Sequence, residues 1–152
     1  MMAPVLVFAI GNESRGDDAL APLLVRRIQD ESSGKTDFIE DYQLQIEHVI
    51  DLIGRHAVLF IDADVSCDAP FHFSRIKAAY DNSYTSHAMT PDALLYAYRH
   101  VYGNDAPASY LLRIRGYGFE LGEALSDEAS ANLELAAGKV REWLADIPVL
   151  EE

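Results

Sequence analysis

A single cysteine, Cys67, in 152 residues leaves no partner for an internal disulfide and excludes a cysteine-built structural zinc site. Basic residues are also scarce: 12 Lys and Arg stand against 25 Asp and Glu, a formal charge of −13. A surface this acidic repels phosphate backbones and anionic headgroups, which argues against nucleic acid and membranes as partners. No apolar run reaches the roughly 18 residues that a bilayer demands. The opening Met-Met-Ala-Pro-Val-Leu-Val-Phe-Ala-Ile-Gly has no basic flank and reads as a first buried strand. A cytoplasmic protein is expected. Gly-x-Gly-x-x-Gly, the Walker A lysine motif and the Gly-x-Ser-x-Gly elbow are all missing. The commonest dinucleotide, phosphate-loop and serine-hydrolase designs are therefore set aside.

What is present is half hydrophobic and long enough to bury a core, so residues 1–152 are expected to form one domain. Val5 to Ile10 is a continuous apolar run, the pattern of a strand buried on both faces. Leu20, Leu23, Leu24, Val25 and Ile28 are spaced as one helix face, fading near Ser32-Ser33-Gly34, with Asp17 and Asp18 at the positive end of the dipole and Pro22 in the first turn. A second strand is expected over Phe38 to Leu44, a short helix over Glu47 to Ile53 and a central strand over Ala57 to Ala63. Phe71 to Ile76 alternates as an edge strand would, Thr90 to Tyr102 is helical and Tyr110 to Arg115 is a strand. Ser126 caps a last helix running to about Leu144, which Trp143 and Leu144 pack on the sheet. Alternating strands and helices predict a three-layer α/β fold: a twisted, mostly parallel sheet of about five strands with helices on both faces.

In such sheets ligands bind beyond the carboxyl ends of the strands. Polar residues that directly follow an apolar strand are then the candidates. Asp18 follows the first strand, Asp62 closes Val58-Leu59-Phe60-Ile61, and His87 ends Ser83-Tyr-Thr-Ser-His before a helix. Two carboxylates and an imidazole suit a borderline divalent cation such as zinc or nickel, with a position left open for water or substrate. Each residue also has a plain structural reading. Asp17 and Asp18 suit a helix start, Asp62 suits a turn cap, and His87 suits an exposed helix start. Cys67 lies near the same rim without an adjacent His or Lys and reads as a small buried or loop residue.

Taken in order, these segments resemble the nickel-iron hydrogenase maturation protease family over most of the chain. Ile10-Gly11-Asn12-Glu13-Ser14-Arg15-Gly16-Asp17-Asp18 matches the family's Gly-Asn-x-x-x-x-Asp-Asp/Glu opening, and Phe60-Ile61-Asp62-Ala63 matches its strand ending in Asp-Ala. His87, with Leu94 and Leu95 in the helix beyond, matches the family's histidine segment; Gly116-Tyr117-Gly118-Phe119-Glu120-Leu121-Gly122 with Leu125-Ser126 resembles its late segment. The resemblance implies an endopeptidase that trims the C-terminal extension of a hydrogenase large-subunit precursor. It implies that Asp18, Asp62 and His87 are the metal-contacting and catalytic residues. The metal implied is nickel already carried by the precursor, a recognition element that the protease need not retain.

The chain departs from the family at two places. Ala19-Leu20-Ala21 follows the acidic pair where glycines are usual, and Glu40-Asp41-Tyr42-Gln43-Leu44-Gln45-Ile46-Glu47 replaces an Asp-Gly-Gly-Thr-like turn. In the processing reading, Asp17 orients the ligand loop and Asn12 presents an amide to the peptide. Glu40, Asp41 and Glu47 are then rim residues for a basic stretch of the tail. Two other functions fit the same residues: a module that holds a metal-bearing precursor without cutting it, and a small-molecule hydrolase on a similar sheet.

Overall fold

The computed structural model describes residues 2–31, 34–85 and 88–147. Five strands form one sheet: β1 (Val5–Ile10), β2 (Thr36–Asp41), β3 (Ala57–Asp64), β4 (Phe71–Ile76) and β5 (Ala108–Arg115). Their spatial order is β2-β1-β3-β5-β4. All pairs are parallel except β4 with β5, so the expected edge strand is the one antiparallel element. The helices are α1 (Leu20–Gln29), α2 (Val49–Leu52), α3 (Pro91–Tyr102) and α4 (Asp127–Asp146).

The apolar strands bury both faces, as their unbroken hydrophobicity requires. Val5, Val7 and Ala9 of β1 join Ala57, Leu59 and Ile61 of β3 in a core closed by α1 and α4. The alternate residues Leu6, Phe8, Ile10, Val58 and Phe60 point into a second core closed by α2 and α3. Trp143 of α4 meets Tyr110 of β5 edge-on, with 5.4 Å between ring centroids, as expected of a residue packing that helix on the sheet. Thr90 and Ser126 cap α3 and α4, their hydroxyls accepting from the amides of Ala93 and Ala129. Among the described residues no helix is long and apolar enough to cross a membrane.

Some boundaries differ from expectation. Ser32 and Ser33 lie outside the described residues; α1 itself ends at Gln29. β2 starts and ends earlier than expected, over Thr36–Asp41, because its register against β1 stops where β1 stops: Ile10 stands opposite Asp41. Leu44, expected at the end of that strand, is instead buried by an isolated antiparallel bridge to Met89. β5 begins two residues early, at Ala108, which matches it to the start of β3 at Ala57.

Going from β1, the chain crosses to β2 on one side and, through β2 and α2, to β3 on the other. The order of strands therefore reverses between β1 and β3. The connections leaving the carboxyl ends of these two strands diverge there and open a crevice.

Candidate active site

β1 ends at the switch point, and Gly11 lets the chain turn back at once. A Cβ on Gly11 would strike the carbonyl oxygen of Asp18 and come within 3.2 Å of Cδ of Pro22. The backbone N–H of Asn12 donates to Oδ2 of Asp18 at 2.9 Å, fixing that carboxylate over the end of the strand. Asn12 Oδ1 accepts from the N–H of Ser14 at 2.9 Å, which shapes the loop that follows β1. A 3-10 turn over Gly16–Ala19 then leads into α1, which sets Asp17 and Asp18 on different sides of the turn.

Asp62 comes from the neighbouring strand, in register with Ile10. Asp18 and Asp62 line one crevice of about 370 Å³, walled by Ile10, Leu44, Met89 and Phe119. Burial pushes the Asp62 carboxyl up to about 7, and the charge of Asp18 adds to the rise. Burial also raises Asp18, against the hydrogen bond from Asn12 and the nearby Arg15 charge. Two carboxyl groups facing one crevice, each disfavoured as an anion, are suited to share a proton or to meet a cation. His87, the third residue singled out from the sequence, lies outside the described residues. Among the described residues no three His, Cys, Asp or Glu side chains are grouped to hold a metal ion, so the described donor set is this carboxylate pair.

Asp17 anchors the turn that carries Asp18. It is 1% exposed and accepts from the N–H of Tyr117 (2.7 Å), the N–H of Ser126 (2.8 Å), the Ser126 hydroxyl (2.8 Å) and, at 3.3 Å, the N–H of Gly118. Burial works to raise its pKa, but the hydrogen bonds from Ser126, Tyr117 and Gly118 outweigh it and hold the group below the ordinary value. One carboxylate thus ties the 3-10 turn to the segment after β5 and to the cap of α4. The same contact explains the glycines: a Cβ on Gly16, whose φ is +54°, would sit 2.5 Å from the Gly118 carbonyl oxygen. Phe119, four residues after β5 ends at Arg115, is carried to the crevice wall by this anchor.

The acidic rim is only partly free. Arg26 reaches both Glu40, at 2.7 Å, and Glu13, at 2.5 Å. His48 is buried: its Nδ1 accepts from the Gln45 N–H at 2.8 Å, so Nε2 carries the proton and donates to Asp41 at 3.1 Å. Neither Arg26 nor His48 could be identified from sequence, since their partners are set by the meeting of β2 with α1 and with the start of α2. Beside this rim, Gly11, Glu13, Pro22, Arg26, Glu40, Asp41 and Tyr42 line a groove of about 300 Å³ that meets the crevice at Tyr42. Cys67 is buried as expected; its thiol lies near the carbonyls of Arg113 and Asp64, and burial pushes it up, away from thiolate chemistry.

No family model matches the chain, and no curated protein matches it. Solved structures do. The hydrogenase maturating endopeptidase HybD from E. coli superposes with a TM-score of 0.73 at 20% identity, over 93% of this chain and 92% of that one. The nickel-iron hydrogenase maturation protease HycI from Thermococcus kodakarensis gives 0.70 at 19% identity, over 95% and 94%. The chain has the hydrogenase maturation endopeptidase fold. A hydrogenase 2 maturation peptidase from a Thaumarchaeota archaeon shares that fold, with a TM-score of 0.67 at 22% identity over 92% of this chain and 97% of that one. The endopeptidase fold is matched nearly end to end in all three, and in this chain its β1/β3 switch point carries Asp18 and Asp62.

Proposed function

We propose that this protein is a cytoplasmic endopeptidase that removes the C-terminal extension of a nickel-iron hydrogenase large-subunit precursor after nickel insertion. The observation that carries the reading is the pairing of Asp18 with Asp62 in one crevice at the strand-order reversal of an endopeptidase fold. The precursor's nickel is part of the substrate, and Asp18, Asp62 and His87 are its assigned contacts. Two carboxyls whose charged forms are disfavoured by burial gain most from a cation, so the pair discriminates a metal-bearing precursor from an empty one. A bound metal supplies Lewis acidity toward a carbonyl or a water.

The residues of this chain do the positioning. The Asn12 N–H fixes the rotamer of Asp18, and Asp17 holds the segment bearing Phe119 against the crevice. The groove meeting the crevice at Tyr42 gives an extended tail a way out, which favours a polypeptide over a small enclosed substrate. The test is mass spectrometry of nickel-loaded and nickel-free precursor incubated with the protein. Tail loss from the loaded form alone is expected; equal loss from both, or none from either, overturns the reading.

A further inference from the structure

β2 is an edge strand, paired with β1 on one side and, among the described residues, with no strand on the other. The phase of its ladder fixes which backbone groups are left open. The amides of Val5 and Gly11 donate to the carbonyls of Lys35 and Asp41. In a parallel ladder one residue directs both its N–H and its C=O to the neighbouring strand, and the next residue directs both the other way. Lys35, Asp37, Ile39 and Asp41 therefore face β1, while Phe38 and Glu40 turn N–H and C=O outward. Nothing in the strand blunts this edge by proline or by a bulge: Thr36–Asp41 contains no Pro and pairs with β1 in unbroken register.

The open edge leads to the crevice. A cavity of about 540 Å³ lies beside Thr36, Asp37, Phe38 and Ile39. The groove of about 300 Å³ described above follows beside Glu40, Asp41 and Tyr42. Tyr42 lines both that groove and the crevice that holds Asp18 and Asp62, so the lining runs along β2 to the carboxylate pair. The acids of the strand turn to the faces of the sheet, Glu40 to Arg26, Asp37 to Arg55 and Asp41 to His48. With those charges matched, the edge offers an incoming chain its backbone. Phe38 and Ile39 are half-buried against opposite cores, and an added strand would cover both. The opposite edge, β4, is also open, but none of its residues lines the crevice.

We propose that the C-terminal region of the precursor binds as an added strand along β2, exchanging main-chain hydrogen bonds with Phe38 and Glu40 on its way to the crevice. The assignment rests on the processing reading above and deepens it: the substrate is an extended polypeptide recognised first through its backbone. A small molecule has no row of amide groups to match this edge. A second copy of this chain is a poorer occupant, because edge-to-edge pairing would set two chains of charge −13 side by side across the approach to the crevice.

The experiment removes one outward donor. Glu40→Pro deletes the N–H but spares the ladder with β1. Glu40→Ala is its reference, since it loses the same bond to Arg26 and keeps the N–H. Arg75→Pro makes the matching deletion on β4: the Arg115 amide donates to the Pro70 carbonyl, and in that register Arg75 faces away from β5. Circular dichroism and thermal melting establish that each variant is folded. On full-length nickel-loaded precursor, Glu40→Pro is expected to raise KM roughly three- to tenfold over Glu40→Ala with kcat unchanged, and Arg75→Pro to keep the parent KM. Pulsed hydrogen exchange on the parent protein within its first turnover needs no variant and decides the matter if Glu40→Pro does not fold. The Phe38 and Glu40 amides are expected to exchange freely in the protein alone and roughly tenfold or more slowly with precursor. Equal KM for folded Glu40→Pro and Glu40→Ala, or exchange at Phe38 and Glu40 unmoved by a precursor that is processed, overturns the strand pairing alone. So does protection of these amides that grows with concentration of the precursor-free protein, since a second copy then occupies the edge. A parent protein that does not process the precursor overturns the processing reading and this assignment together.

Discussion

Asp17 and Asp18 are identical in kind and adjacent in sequence, yet the fold gives them opposite surroundings. Asp17 is saturated by four donors and held below the ordinary carboxylate value; Asp18 faces the crevice and is raised by burial. Which acid of the pair faces the crevice followed from matching Asp18 to a family pattern. That its neighbour anchors a segment a hundred residues away was not legible, because nothing near Asp17 in sequence names Tyr117 or Ser126. Asp17 and Asp62 predict opposite limbs of a stability profile for the metal-free protein. Asp17 binds its proton more weakly folded than unfolded, so its contribution is present above its unfolded value, near 3.8, and is lost as pH falls. Asp62 binds its proton more tightly folded, so stability is full below about 3.8 and declines as pH rises through about 7. Asp62→Asn is therefore expected to stabilise the protein at pH 8, by on the order of 2–4 kcal/mol, and to have little effect at pH 4. Urea denaturation at the two pH values measures this; an equal effect at both would contradict it. Gly11→Ala is a second test at this scale. Its methyl would displace the Asp18 carbonyl, and a loss of roughly 1–3 kcal/mol with slower tail removal is expected.

At the scale of elements, the apolar runs of β1 and β3 were legible as strands because burial on both faces leaves no polar alternation to confuse the pattern. β4, with no residue fully buried and polar residues interleaved among Phe71, Phe73 and Ile76, was legible as an edge for the converse reason. β2 was misplaced by two residues at its start and three at its end, since its limits are set by pairing with β1 and not by its own composition. Leu44 completed an apolar pattern in sequence but serves the crevice wall through Met89. The Asp17 anchor joins three elements, the 3-10 turn, the segment after β5 and the cap of α4, so its removal should act on all of them. Asp17→Ala is expected to lower unfolding stability by on the order of 3 kcal/mol, because it strands several donors in a buried site. Hydrogen exchange should accelerate at Tyr117, Gly118 and Ser126 in that variant, with little change in β1. Unchanged protection there would show that the carboxylate does not hold the segment.

For the whole molecule, the parallel sheet explains why residues distant in sequence share a site. Reversal of strand order between β1 and β3 brings the segments after both strands to one place, so residues 18 and 62 meet there without either element bending to reach the other. This was legible from the alternation of strands and helices together with the rule for carboxyl ends, before any contact was known. The formal charge of −13 is spread over a surface whose acids near the crevice are partly matched by Arg26 and His48, so the negative field at that rim is moderated, not abolished. The central claim, that Asp18 and Asp62 act as a unit on the metal-bearing precursor, is tested most directly by a double-mutant cycle. Single-turnover tail removal is measured for Asp18→Ala, Asp62→Ala and the double variant on nickel-loaded precursor. Each single change is expected to cost nearly as much rate as both together. Independent losses that multiply in the double variant, or a single variant that cleaves at the parent rate, would contradict the account.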